Sequence, residues 1–175
     1  MSAPARRLRR AFVPLLASLT GLCAAQTPPP APAGPAAAPA AIPYGPSFSD
    51  LMNIGVQPRH IKLWLAGRQH NWVYAAYELD ELRNAFTRVG RTVPVYRNLD
   101  VPAVTSTFMQ QPLDAVGAAI RNRDSAAFVA AYTLLTDRCN ACHRGSEHAM
   151  VVVRVPVGSA FADQDFRAPP DSGAH

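Results

Sequence analysis

Acidic residues are missing from the first 49 positions; the first of them is Asp50. Four arginines, Arg6, Arg7, Arg9 and Arg10, crowd the same end. The formal charge of +5 therefore misleads. Without residues 1–25 the balance is 13 basic against 12 acidic side chains. A near-neutral body has no electrostatic footprint for nucleic acid, and none is expected as a partner. Cysteine is scarce too, with three in 175 residues. Cys23 lies in the N-terminal segment, so the body keeps only Cys139 and Cys142, too few for a fold built on disulfides. Long apolar runs are absent after the N-terminus, and no alternating strand pattern occurs before residue 150. The length suits one domain.

What is present begins with an address. The four arginines are followed by the apolar stretch AFVPLLASLTGL over residues 11–22, then by Ala24 and Ala25. This is the layout of a secretory signal peptide, residues 1–25, cleaved after Ala25. The apolar run is short of the roughly 20 residues needed to span a bilayer, so no transmembrane segment is expected after signal removal. Residues 26–46 contain eight prolines and no charge. Proline fixes φ and removes the N–H donor, so this stretch reads as an extended Pro/Ala-rich linker.

The body, residues 47–166, reads as four helices. The first runs from about Phe48 to Ala66 behind Ser47 or Ser49, with Met52, Val56, His60 and Trp64 along one side. Pro58 predicts a kink or restart. The second starts at Asn71, carries Ala75, Leu79, Leu82, Phe86 and Val89, and is expected to stop at Gly90. A looser segment spans Arg91–Gln111. A short third helix starts at Pro112 and buries Leu113, Val116 and Ile120. The fourth starts at Asp124 or Ser125 and carries Phe128, Ala131, Leu135, Cys139 and Cys142. Short connections predict an all-α, antiparallel up-and-down four-helix bundle. Val151, Val152, Val153, Val155 and Val157 predict an extended C-terminal tail across the bundle, and residues 167–175 a disordered end.

Cys139-Asn140-Ala141-Cys142-His143 is the C-x-x-C-H haem-attachment pattern. Two thiols at this spacing reach the two vinyl groups of one porphyrin. The adjacent histidine falls under the iron, and one helical turn presents all three groups. A zinc site would need a second ligand pair, and His60, His70, His148 and His175 lack pair spacing. A thioredoxin-type pair would need a βαβ unit, and a disulfide within one helical turn is geometrically poor. One covalent haem c is therefore the expected cofactor. Haem is attached to such motifs outside the cytoplasmic membrane of bacteria, which matches the leader and predicts a periplasmic protein.

Four helices with a single C-x-x-C-H near the end of the last resemble the class II c-type cytochromes, the cytochrome c-prime group. Arg59-His60-Ile61-Lys62-Leu63-Trp64, Asn71-Trp72 and the motif followed by a valine-rich stretch to Pro156 also resemble a group of exported bacterial cytochrome-like proteins. The resemblance covers about residues 48–166. It implies Cys139 and Cys142 as thioether positions and His143 as the proximal iron ligand. It implies further that the first helix crosses the distal face, where Met52 or His60 is the candidate sixth ligand. Relatives often dimerise through the first two helices, so a homodimer is among the implied partners, although the exposed faces show no clear apolar stripe.

Two functions follow from different classes. Six-coordinate iron makes a carrier of single electrons to a redox partner protein. Five-coordinate iron makes a binder of nitric oxide or carbon monoxide. No second metal site, paired carboxylates or nucleophile constellation points to an enzyme. His70 and His148 read as surface residues, Met109 and Met150 as packing, and Trp64 and Trp72 as core anchors. Arg138 and Arg144 flank the motif as candidate partners for the haem propionates.

Overall fold

The computed structural model describes residues 45–170. The leader, Cys23, the linker up to residue 44 and the last five residues lie outside the described residues. The fold is mostly helical with very little strand.

The chain enters its first helix through Ser47, whose Oγ accepts the Asp50 amide at 3.1 Å while the Asp50 carboxylate accepts the Ser47 amide at 2.9 Å. This reciprocal cap opens α1 (Phe48–Asp50). The helix then widens into a π-helical segment, Leu51–Val56, before continuing as α2 (Gln57–Arg68). Pro58 supplies the reason. Its nitrogen cannot donate and its ring crowds the preceding turn, and the wider turn accommodates both, with the Gln57 amide reaching back five residues to the Met52 carbonyl. The expected restart at Pro58 is seen: α2 begins with this proline in its first turn, after six widened residues that keep the chain helical. His60, Leu63, Ala66 and Gly67 are the buried residues of α2.

His70, in the left-handed region at φ 56°, turns the chain. The Asn71 side chain then accepts the Tyr74 amide and opens α3 (Trp72–Thr92). Ala75, Leu79, Leu82 and Val89 are buried, as their spacing predicts. Gly90 does not end this helix. It is buried where α3 meets Pro102, and a Cβ there would lie 3.2 Å from the Pro102 Cγ. The glycine serves close approach, not the stop.

The segment expected to be loose is ordered in two ways. Val95–Tyr96 (β1) pairs antiparallel with Leu99–Asp100 (β2) around Arg97, whose φ is 53°. Asp100 then caps a long helix, α4 (Val101–Arg121), through the Ala103 amide at 2.9 Å. Pro102 sits in its first turn, where the missing donor is harmless, and Pro112 lies buried in its interior. The third helix therefore begins eleven residues before the expected proline. Burial of Val101, Met109, Leu113, Val116 and Ile120 along one face offsets the roughly 3 kcal/mol that an interior proline costs a helix. Asp124 caps α5 (Ser125–Gly145) through the Ala126 and Ala127 amides.

Consecutive helices pack on one another, and α5 also touches α2. One close approach joins this last pair. A Cβ on Gly67 would lie 2.1 Å from the Phe128 ring, so only glycine lets that ring lie on the α2 backbone. Trp64, Trp72 and Tyr132 surround Phe128. The tail crosses the helices as expected. It runs along α5, passes α2 where Lys62 lies over the Phe161 ring, and ends with Phe166 stacked on Tyr74 of α3. Arg167, assigned to the disordered end, is fixed: its carbonyl accepts the Asn71 side-chain amide at 3.1 Å. No helix among the described residues is long and apolar enough to cross a membrane.

Candidate functional site

The last turns of α5 present Cys139, Cys142 and His143 together, because residues three and four apart share a helix face. Both cysteines are free thiols, half-buried against the hydrophobic core. Burial, with the neighbouring Cys142 second, pushes the Cys139 thiol up to about 12; burial raises Cys142 as well. Such thiols are protonated and unreactive at neutral pH.

His143 is held by its backbone surroundings. Its Nδ1 lies 2.7 Å from the Val151 carbonyl. A carbonyl oxygen only accepts, so Nδ1 carries the proton and Nε2 keeps its lone pair. Nε2 has no hydrogen-bond partner among the described residues. A metal-ligating histidine shows this pattern, with one nitrogen fixed by a backbone acceptor and the other available to metal. The donor set of two adjacent thiols and one oriented imidazole fits a covalently attached haem. Cys139 and Cys142 would hold its vinyl-derived carbons and His143 its iron. Among the described residues no three His, Cys, Asp or Glu side chains gather as a metal ion held by side chains alone would need.

The turn after α5 explains how Val151 reaches His143. The His148 amide donates to the His143 carbonyl at 2.7 Å, and the Val151 amide to the His148 carbonyl at 2.8 Å. His148 is not a loose surface residue. Its Nδ1 donates to the Ser146 carbonyl at 2.6 Å, so its Nε2 accepts the Tyr96 hydroxyl at 3.2 Å. Tyr96 stacks on Phe48 with centroids 4.3 Å apart, so the hairpin ties the start of α1 to this turn. Arg97 and Glu147 pair beside it.

The two distal candidates differ. His60 is 4% exposed and both ring nitrogens are engaged. Nε2 lies 3.1 Å from the Thr136 Oγ1, and Nδ1 lies 2.9 Å from the Tyr132 hydroxyl. That hydroxyl also donates to the His60 carbonyl at 2.6 Å. The Thr136 hydroxyl has a carbonyl acceptor of its own, that of Tyr132 at 3.0 Å. A neutral His60 therefore donates to one of the two hydroxyls and accepts from the other, which turns its hydrogen from the carbonyl to the ring. Burial pulls the His60 pKa down to about 4. Met52 is half-buried on the π-helical segment and packs on the core. Met109 is buried packing, whereas Met150 is 79% exposed and packs on little. Trp64 and Trp72 gather round Phe128, about three helical turns before Cys139 on α5, and serve as core. Arg138 and Arg144 are exposed, and neither has an ion-pair partner among the described residues.

Sequence reasoning missed Asn140, Val151, Tyr96 and the partners of His60. It also missed Glu78, which is 1% exposed and bonded to Arg59 at 3.2 Å. An acidic residue in the apolar stripe of α3, four after Tyr74, was the available signal for Glu78. No signal existed for a backbone carbonyl.

Comparison with known protein families, curated proteins and solved structures finds no match.

Proposed function

We propose that this chain is an exported mono-haem c-type cytochrome, an antiparallel up-and-down four-helix bundle that carries single electrons in the periplasm. One observation carries the reading: two half-buried thiols share a helix face with an imidazole whose Nδ1–H is fixed on the Val151 carbonyl at 2.7 Å. Haem supplies a one-electron iron centre when bound. The chain's residues do the rest. Cys139 and Cys142 would hold the group covalently, His143 would give its Nε2 lone pair to the iron, and the Val151 carbonyl would make that imidazole a stronger donor. The apolar core around the cysteines keeps water away and so tunes the potential. The partner is a redox protein, and no catalytic turnover is proposed.

For the sixth ligand the contacts favour Met52 over His60. His60 would have to surrender two buried hydrogen bonds, each expensive to leave unmade. Its bond to Thr136 also sets a register. In an antiparallel bundle, moving eight residues back to Met52 covers about 12 Å and seven on to His143 about 10.5 Å, which brings Met52 near the level of His143.

The test is an optical spectrum of the reduced protein with and without carbon monoxide. A sharp low-spin α-band unchanged by the gas is expected. Met52→Ala should convert the protein into a carbon monoxide binder, and His60→Ala should not. A broad high-spin spectrum that shifts with the gas in the wild type would overturn the carrier reading in favour of gas binding.

A further inference from the structure

Asn140 is the first of the two residues between the motif's cysteines, where the pattern itself accepts any side chain. Here its carboxamide makes two bonds to one residue far along the tail. The Asn140 Nδ2 donates to the Val153 carbonyl at 2.9 Å, and the Val153 amide donates to the Asn140 Oδ1 at 2.8 Å. The backbone groups force this assignment, because an amide N–H can only donate and a carbonyl can only accept. The pair closes a ring like a rung of an antiparallel sheet. It fixes the tail's position and its rotation about its own axis.

Val151 precedes Val153 by two residues, and the carbonyls of both face α5. One meets Asn140 and the other meets His143. Asn140 and His143 are three residues apart on α5, on one face. From the other direction, Val151 is held by its amide bond to the His148 carbonyl. The acceptor of the His143 proton is thus pinned on both sides, and Asn140 is the side-chain pin.

We infer that Asn140 is a positioning residue for His143: it clamps the valine-rich tail so that the Val151 carbonyl stays on the imidazole Nδ1. The inference rests on the cytochrome reading for its redox consequence and on the contacts alone for its structural one. With the clamp closed, the imidazole is oriented and electron-rich, which favours ferric iron. With it open, the tail leaves α5, the Nδ1 proton goes to water, and the balance moves toward ferrous iron.

The experiment compares wild type, Asn140→Ala and Val153→Pro in the full chain. Alanine is the best helix former, so the first variant keeps α5. The second removes the Val153 donor without altering α5. Hydrogen exchange of the Val153 amide and of the His143 Nδ1 proton is followed by NMR, with and without haem. Both protons should exchange about tenfold faster or more in Asn140→Ala, the effect of losing about 1.4 kcal/mol of bonding. The His143 ring proton should speed up likewise in Val153→Pro. The ferrous-to-ferric ratio at fixed ambient potential should rise by a factor of about 3–10 in each variant. The double variant should add little, as for partners in one interaction. A His143 ring proton that keeps its wild-type exchange rate in both variants overturns the inference. So does an unchanged ferrous-to-ferric ratio in the haem-bearing variants. If the wild type itself carries no covalent haem, the cytochrome reading fails, and the ring-proton comparison still decides the clamp.

Discussion

A histidine with both nitrogens committed inside the protein has a measurable signature. His60 is held neutral by burial, with its pKa near 4 against an ordinary value of 6.5. Between those two pH values the unfolded chain binds a proton that the folded chain refuses. Stability therefore falls as pH drops from about 6.5 to about 4, by roughly 3 kcal/mol in all, and is fully present above 6.5. Denaturant midpoints measured from pH 4 to pH 8 should show this slope in the wild type and lose it in His60→Gln. A wild-type slope no steeper than the variant's would mean that His60 binds something other than Thr136 and Tyr132. At this scale the sequence was informative where chemistry sits in side chains at short range. Cys139, Cys142 and His143 were legible because five contiguous residues specify them. The partners of His60 were not, because Tyr132 and Thr136 lie 72 and 76 residues away. The acceptor of His143 was not legible either, because a valine carbonyl is indistinguishable from any other.

Helices were legible where caps and apolar spacing agreed. Asn71, Ser47 and Asp124 start their helices as their side chains predict, and the stripe from Ala75 to Val89 is buried as spaced except at Phe86, which is partly buried. Two helix boundaries were missed because proline and glycine were read as punctuation. Pro112 lies inside a helix and Gly90 serves contact, whereas Pro58 does mark a restart, behind a widened turn. At Pro112 and Gly90 tertiary packing overrode a local preference of up to a few kcal/mol. The hairpin escaped notice because two residues per strand are too few to show alternation. Gly67 tests the packing at this scale. Gly67→Ala would improve helix propensity, yet its methyl group would lie 2.1 Å from the Phe128 ring and force α2 and α5 apart. A net destabilisation of about 2 kcal/mol is expected in chemical denaturation, the usual size of an overpacked core. Phe128→Leu should relieve part of it. A Gly67→Ala variant as stable as the wild type would show that the ring has room to move.

Across the whole molecule, the tail ties together helices that are far apart in sequence. It bonds to α5 at Asn140 and His143, crosses α2 at Lys62, and reaches α3 at Tyr74 and Asn71. Its direction across the helices was legible from the valine run, but its anchor was not. The anchor is Phe166, 6% exposed, in a stretch with no regular secondary structure. Phe166→Ala should lower stability by about 3 kcal/mol, and the loss should appear in denaturant unfolding as one cooperative transition. An early separate transition would mean that the tail detaches without affecting the helices.

The central claim is that one haem is bound covalently through Cys139 and Cys142. The most direct test is the intact mass of the purified protein after acid-acetone extraction, compared with a Cys139→Ala, Cys142→Ala double variant. The wild type should keep the mass of one haem through extraction, and the double variant should keep none. A wild type that loses all its haem in acid-acetone, or that never carries any, would contradict it.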